Sequence, residues 1–363
     1  VPTAVHPRTA PVLPVCGLVG YTAPSVGEQQ TMKGRTRTFS GVQPTGSLHL
    51  GNYLGALKQW VKHQDDRENI FCVVDLHALT VPEVIVPAEL RVKSRQVAAL
   101  YLASGIDPAK SSIFIQSHVR EHSELCWVLN CVTPLGWLER MTQFKSKSEA
   151  RTTVGTGLLD YPVLQAADIL LYDTQVVPVG EDQKQHIELA RDVAIRFNHL
   201  FGDTFVVPAA SIPEVGARVM GFDSPTDKMS KSLAAERPHH AVQLLDAPKK
   251  MQKTVMRAVT DSGCEYRLEH ASAGVLNLLG VLSAITGEPA ASIAARYEGQ
   301  GYGYLKKEVA DAVVAELEPV QAEYHRLMDD AGYLDALLQR STEQVRTIAQ
   351  ATMARVRAAV GID

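Results

Sequence analysis

The sequence predicts an α/β fold, a parallel sheet with crossover helices and a helical region after it. Three observations predict it. Short apolar runs alternate with helix-spaced segments between Thr38 and Leu200, and strand signals fade beyond residue 240. The 363 residues also suffice for roughly two to three domains of ordinary size.

The elements follow in order. Thr38 to Val42 reads as a short strand that runs into Gln-Pro-Thr-Gly. His49 to Gln64 has helical spacing, with Leu54, Leu57, Trp60 and Val61 on one face. Asn69 to Val74 is a continuous apolar run ending at Asp75, the pattern of a strand buried on both faces. Pro87 to Ser104 is helical, with proline in its first turn and Gly105 as its stop. Ser112 to Gln116 is another short strand. A helix over Pro162–Tyr172 and a strand over Val176–Val179 come next. A long helix over Glu181–Leu200 turns Ile187, Ala190, Val193, Ala194 and Phe197 inward. Beyond residue 240 come helices over Pro248–Val259, Ala273–Thr286, Glu288–Glu298, Tyr304–Asp330 and Thr342–Val360.

Composition narrows the class. There are 36 Lys plus Arg against 40 Asp plus Glu, a net charge of -4, and 45% hydrophobic residues. This excludes a wholly disordered chain, a collagen-like fibre and a binder of nucleic acid by bulk positive charge. Five scattered cysteines are odd in number and sparse, so they read as reduced thiols of a cytoplasmic protein. No apolar run is long enough for a membrane helix. Prolines at 2, 7, 11, 14 and 24 break any period in residues 1–37, which read as a disordered extension without a signal peptide. Met32 is a candidate start of the folded protein.

Several catalytic signatures are absent, among them G-x-x-x-x-G-K-[ST], H-E-x-x-H and G-x-S-x-G. His118, His122, Cys126 and Cys131 fall near one helical stripe, but a packed helix bearing Trp127, Val128 and Leu129 accounts for them, and no protein-held metal is expected. Pro44-Thr-Gly-Ser-Leu-His-Leu-Gly-Asn52 follows a strand and opens a helix. Its glycines admit close backbone approach, and a helix N-terminus offers free N–H groups to phosphate. Alone, it is equally well a glycine-rich turn with a helix cap. Asp227-Lys-Met-Ser-Lys-Ser232 places two lysines three apart among serines, a cationic clamp or a solvated charge run.

Together and in this order, the two stretches resemble the HIGH-type and KMSKS-type motifs of class I aminoacyl-tRNA synthetases. Closer resemblance to the bacterial tryptophanyl-tRNA synthetases lies in Phe39-Ser-Gly-Val-Gln-Pro-Thr-Gly, Asp75-Leu-His-Ala-Leu-Thr80 and Arg140-Met-Thr-Gln-Phe-Lys-Ser-Lys147. It continues in Tyr161-Pro-Val-Leu-Gln-Ala-Ala-Asp168 and Val177-Pro-Val-Gly-Glu-Asp-Gln-Lys-Gln-His186. The similarity runs from about Thr38 to the C-terminus. It implies a Rossmann-like doubly wound sheet over residues 38–222, a mobile loop with the second motif over 223–240, and a helical anticodon-binding region over 241–363.

The resemblance also implies an activity. Members of this family join L-tryptophan to ATP, with Mg²⁺ carried by the nucleotide, and transfer it to the 3′ end of tRNA(Trp) as homodimers. Gln43, Pro44, Thr45, Gly51 and Asn52 would surround ATP, with His49 and the Lys228–Ser232 stretch (including Met229, Ser230 and Lys231) acting on its phosphates. Gly180, Glu181 and Asp182 would hold the ribose, and the Val219 backbone would border adenine. Lys145 and Lys147 are further phosphate candidates. Asp168 would accept the indole N–H, a donor that phenylalanine lacks. Tyr161 and Gln165 share its helical stripe. Gln43, His77 and Gln183 would line the same pocket. Family members often carry Met where Gln165 stands and Asp where Leu233 stands, and an Asp there would cap the following helix. Lys249, Lys250, Lys253 and Arg257 form one basic stripe, with Arg346, Arg355 and Arg357 on the last helix; tRNA contact and a solvated face explain both equally well. Two alternatives are a tyrosyl-tRNA synthetase and a paralogue that senses tryptophan or nucleic acid without charging tRNA.

Overall fold

The centre of the molecule is a five-stranded parallel sheet in the order β3-β2-β1-β4-β5. The strands are β1 (Thr36–Val42), β2 (Arg67–Val73), β3 (Ser111–Ile115), β4 (Val176–Pro178) and β5 (Ala209–Ser211). The computed structural model describes residues 35–149, 153–180, 183–211 and 218–362. The expected extension over residues 1–37 thus lies almost wholly outside the described residues. Strand β1 starts two residues earlier than the sequence suggests, and Arg37 within it bonds the carbonyl of Tyr172 (2.8 Å) and pairs with Glu68.

Strand β2 shows why its apolar run is continuous. Ile70 and Cys72 enter one core with Phe39, Phe114 and Val163, while Phe71 and Val73 enter the other with Leu54, Val97 and Leu278. Successive side chains of a strand point to opposite faces, so a sheet covered on both sides demands apolar residues at every position.

The helix after the first motif is less regular than its periodicity suggests. It consists of α1 (Leu50–Asn52), a π-helical segment Tyr53–Leu57 and α2 (Lys58–Lys62). Two of its side chains tie it to the helical region: Tyr53 Oη and Lys58 Nζ both donate to Glu316, at 3.0 and 2.8 Å. Then come α3 (Asp75–Ala78), α4 (Pro87–Ala103), α5 (Glu121–Val132), α6 (Leu135–Glu139), α7 (Thr142–Glu149), α8 (Thr156–Leu170) and α9 (Lys184–Phe201). Pro162 lies inside α8 rather than at its start. A proline there forfeits one backbone bond, and burial of Leu158, Val163 and Ala166 on the same helix offsets the loss.

After β5 the described residues hold helices only: α10 (Lys231–Glu236), α11 (Pro248–Met256), α12 (Ala273–Thr286), α13 (Ala290–Arg296), α14 (Tyr302–Asp329) and α15 (Ala331–Val360). Helix α15 starts eleven residues before the predicted Thr342, capped by the side chain of Asp330 on Tyr333 N–H. Three of its arginines bind protein. Arg346 donates to the carbonyl of His118, Arg355 to Asp173 and Arg357 to Glu124. No single helix among the described residues is long and apolar enough to cross a membrane.

Candidate active site

The predicted site residues gather beyond the carboxyl ends of the strands. Gln43 follows β1, His77 stands on α3 after β2, and Gly180 lies two residues past β4. Sequential strands β1, β2 and β3 run one way across the sheet and β4 and β5 the other, so the order reverses between β1 and β4. Crevices at such reversals are where open parallel sheets take ligands.

The first motif leaves β1 through Gly46, whose φ of +64° suits glycine. It reaches α1 with His49 as N-cap. His49 Nδ1 accepts the N–H of Asn52 at 3.3 Å, and Asn52 Oδ1 accepts the N–H of His49 at 3.1 Å. With Nδ1 accepting, a neutral ring carries its proton on Nε2. Burial pushes the His49 pKa down to about 4, and the charges of Lys231, His240 and Lys228 push the same way. At neutral pH the ring is an uncharged donor.

The second motif closes over the first. Met229 is buried, its N–H on the carbonyl of Val219 at 3.1 Å, and Lys228 bridges Met220 in an antiparallel pair. Lys231 passes over Gly46, and its ammonium donates to the carbonyls of Gln43 (3.1 Å) and Thr45 (2.8 Å). Burial lowers its pKa to about 8. The cap of α10 is Ser230, whose Oγ accepts the N–H of Leu233 at 3.3 Å. Position 233 is therefore the third helical residue and not the cap. An Asp there would act on the first turn, while Leu233 leaves the cap itself intact.

The other end is built round Asp168, 1% exposed on α8. Its Oδ2 takes His77 Nε2 at 2.9 Å. Its Oδ1 takes Gln116 Nε2 at 2.6 Å and His122 Nδ1 at 2.7 Å. Burial alone would raise the carboxyl pKa, but His122 and His77 overcome it and hold the value at about 2. Tyr161, two turns earlier on the same helical face, sits edge-on to His77 and bonds His186 Nε2 at 2.9 Å. Gln165, one turn before Asp168, is half-buried.

Other predicted residues are placed as follows. Pro44 is buried, and Gly51 packs against Met229. Gln183 caps the start of α9, its N–H on the carbonyl of Gly180 at 2.9 Å, and Gly180 is exposed. Ser232 is exposed beside Ser230. Lys145 is exposed on α7 and, among the described residues, shares no hydrogen bond with either motif. The side chain of Lys147 and residues Glu181 and Asp182 lie outside the described residues.

Two participants escaped the sequence reading. Gln116 stands immediately after β3, at a strand end where ligand-facing residues collect. The sequence places His122 only on a stripe with His118, Cys126 and Cys131; in the structure both its ring nitrogens are engaged, one by Asp168 and the other by Tyr172 Oη at 2.8 Å. A cleft of about 940 Å³ lies apart from both motifs, between α4, the turn Gln116–His118 and α15.

A family model described as class I tRNA synthetases (W and Y) matches residues 31–318. The chain belongs to this family of class I tRNA synthetases. Among curated relatives, the tryptophan–tRNA ligase of Wolinella succinogenes is 50% identical over 329 residues, covering 90% of this chain and 99% of its own. That of Thermosynechococcus vestitus is 51% identical, covering 89% and 98%. Among solved synthetases, the tryptophanyl-tRNA synthetase of Mycoplasma pneumoniae superposes with a TM-score of 0.83 at 32% identity, covering 91% of this chain and 98% of its own. The Campylobacter jejuni enzyme, complexed with ADP and tryptophan, gives 0.77 at 35% identity, covering 90% and 100%.

Proposed function

We propose that this synthetase is a tryptophan–tRNA ligase. It activates L-tryptophan with ATP to tryptophanyl-AMP and pyrophosphate, then transfers tryptophan to the 3′ end of tRNA(Trp). The observation that carries the choice of amino acid is the ionised, buried Asp168. An indole N–H only donates and a carboxylate only accepts, so the pair is matched. Phenylalanine would leave a buried charge without its last partner. The names of the 50%-identical relatives support the same reading.

In activation, a carboxylate oxygen of tryptophan attacks the α-phosphorus. The bond to the bridging oxygen breaks, and pyrophosphate leaves with the electron pair. The protein supplies position and charge rather than a nucleophile. His49 Nε2–H donates to phosphate oxygen without bringing a charge of its own. Lys231 and Lys228, with Ser230, bind the departing pyrophosphate; the lysine already desolvated at Lys231 gains most from an anion. Gln43, Thr45, Gly51 and Asn52 border the nucleotide, Val219 and Met229 its base side, and Gly180, Glu181 and Asp182 its ribose. Lys145 and Lys147 are additional phosphate contacts. Gln43, His77, Tyr161, Gln165 and Gln183 enclose tryptophan.

The side chains gathered at the first end, His49, Lys228, Ser230 and Lys231, are donors. They fit the phosphates of ATP, and Mg²⁺ carried by the nucleotide would offset negative charge there. In transfer, the terminal ribose hydroxyl of tRNA attacks the tryptophanyl carbonyl carbon and AMP leaves. The catalytic region is residues 38–222, the closing loop 223–240, and the helical region 241–363 reads the anticodon, with exposed Lys249 and Lys253 as contacts. The enzyme works as a cytoplasmic homodimer; exposed Trp127 and Leu135 on adjoining helices α5 and α6 support an apolar interface.

The test is ATP–pyrophosphate exchange with tryptophan, run beside tyrosine and phenylalanine. Tryptophan alone should drive exchange at low concentration. Exchange driven better by tyrosine, or by no amino acid, would overturn the reading.

A further inference from the structure

Asp168 is held more elaborately than a charge-neutralising contact requires. His122 reaches it from α5, is fully buried, and lies between the rings of Phe114 and Tyr172, with centroids at 5.9 and 5.5 Å. Tyr172 lies two residues past the end of α8 and four past Asp168, so one imidazole joins two positions of the same chain segment. The Tyr172 ring is itself fixed by Phe39, stacked at 5.7 Å, and by Phe114, edge-on at 5.8 Å.

The hydrogen bonds leave little choice of proton positions. An ionised carboxylate only accepts, so His122 Nδ1, 2.7 Å from Oδ1, must carry a proton. A neutral ring then presents a bare Nε2, and Tyr172 Oη–H donates to it at 2.8 Å. Tyr172 has no alternative charge state to offer, since burial first and the nearby acids after it raise its pKa well above the ordinary value. For the neutral ring the relay runs from Tyr172 through His122 to Asp168, and in either charge state Nδ1–H faces the carboxylate.

A carboxylate has about four lone-pair directions. Gln116 and His122 take both on Oδ1, and His77 takes one on Oδ2. We propose that His122, its tautomer set by Tyr172, is a positioning residue for amino-acid specificity: it saturates one oxygen of Asp168 and leaves a single acceptor direction, on the oxygen beside His77, for one N–H of the ligand. A freely rotating carboxylate would admit a water or a misaligned donor. This one presents one fixed acceptor in a dry wall. The inference rests on the assignment of Asp168 to the indole N–H.

The experiment compares tryptophan with β-(3-benzothienyl)alanine, which replaces the indole N–H by sulfur and keeps the shape. Exchange kinetics are measured for both in wild type, His122→Phe, His122→Asn and Tyr172→Phe. The wild type should prefer tryptophan strongly. His122→Phe should cut the tryptophan/benzothienyl ratio of kcat/KM by roughly 10–100-fold, the range of a hydrogen bond to a charged group. The loss should fall on the KM for tryptophan and leave the KM for ATP unchanged. His122→Asn, which keeps a donor where Nδ1 stands, should recover most of the ratio, and Tyr172→Phe should lower it by a few fold. A ratio unchanged in both His122→Phe and Tyr172→Phe overturns the proposal. So does a loss shared equally by both amino acids, which would mark a purely structural role. Should His122→Phe fail to fold, His122→Asn against Tyr172→Phe decides alone: a ratio kept in the first and lowered in the second supports the relay, and any other order refutes it. Failure of the wild type to use tryptophan at all would instead remove the reading beneath it.

Discussion

At one end of the site Lys231 holds a buried charge against two backbone carbonyls, and at the other Asp168 holds one against three side-chain donors. The consequences differ in sign. Lys231 is left partly uncompensated, and its pKa sinks to about 8. Asp168 is overcompensated for its burial, and its carboxyl falls to about 2. An undersupplied cation gains most when an anion arrives, which suits a phosphate that changes charge during reaction. A satisfied anion gains little but keeps its geometry, which suits recognition of a neutral donor. Under the proposed function, the first end serves rate and the second specificity.

The largest effect that would break this comparison lies at Lys231. Lys231→Ala should lower kcat for pyrophosphate exchange about 10²–10³-fold, with the KM for tryptophan nearly unchanged. A matching rise in that KM would merge the two ends. Because its pKa stands near 8, calorimetry of ATP binding at pH 8 in buffers of different ionisation enthalpy should show proton uptake, lost in Lys231→Ala.

His49 comes next. Its pKa is 6.5 in the unfolded chain and about 4 when folded. The unfolded state therefore takes the proton first. The contribution to stability is complete above pH 6.5 and is lost as pH falls through 4, about 3 kcal/mol in all. Denaturant melts of the wild type and His49→Asn across that window should converge toward pH 4. Parallel curves would deny the burial argument.

Asp168→Asn should lower kcat/KM for tryptophan roughly 10–100-fold and leave the KM for ATP in place. It should also lower Tm, since one of its three buried donors loses an acceptor. An unchanged KM for tryptophan would detach this end from the amino acid. The smallest contrast concerns the basic helices. Lys249→Ala and Lys253→Ala should each raise the KM for tRNA by a few fold, while Arg357→Ala, whose guanidinium already serves Glu124 at 2.6 Å, should stay within about twofold.

Much of the catalytic frame was legible in the chain. The apolar run of β2 announced a strand covered on both faces, and the glycine-bearing loop after β1 announced a helix start, which His49 caps. What pattern could not supply was the partner of a charge. Arg346, Arg355 and Arg357 share a helix and look alike in sequence, yet all three are spent on holding α15 to the neighbouring fold. The cap of α10 was likewise hidden, because a serine within a lysine-rich run reads first as a phosphate contact.

The sequence by itself determined the order of elements and the two glycine- and lysine-bearing motifs, because periodicity and local turn chemistry act over a few residues, and the resemblance those motifs carry supplied the candidate Asp168. Only the tertiary structure decided which side chains surround that carboxylate. His77, Gln116 and His122 lie 91, 52 and 46 residues away along the chain. Parallel strands ending on one edge bring them together, and the dry interior then fixes which atoms must donate and which must accept.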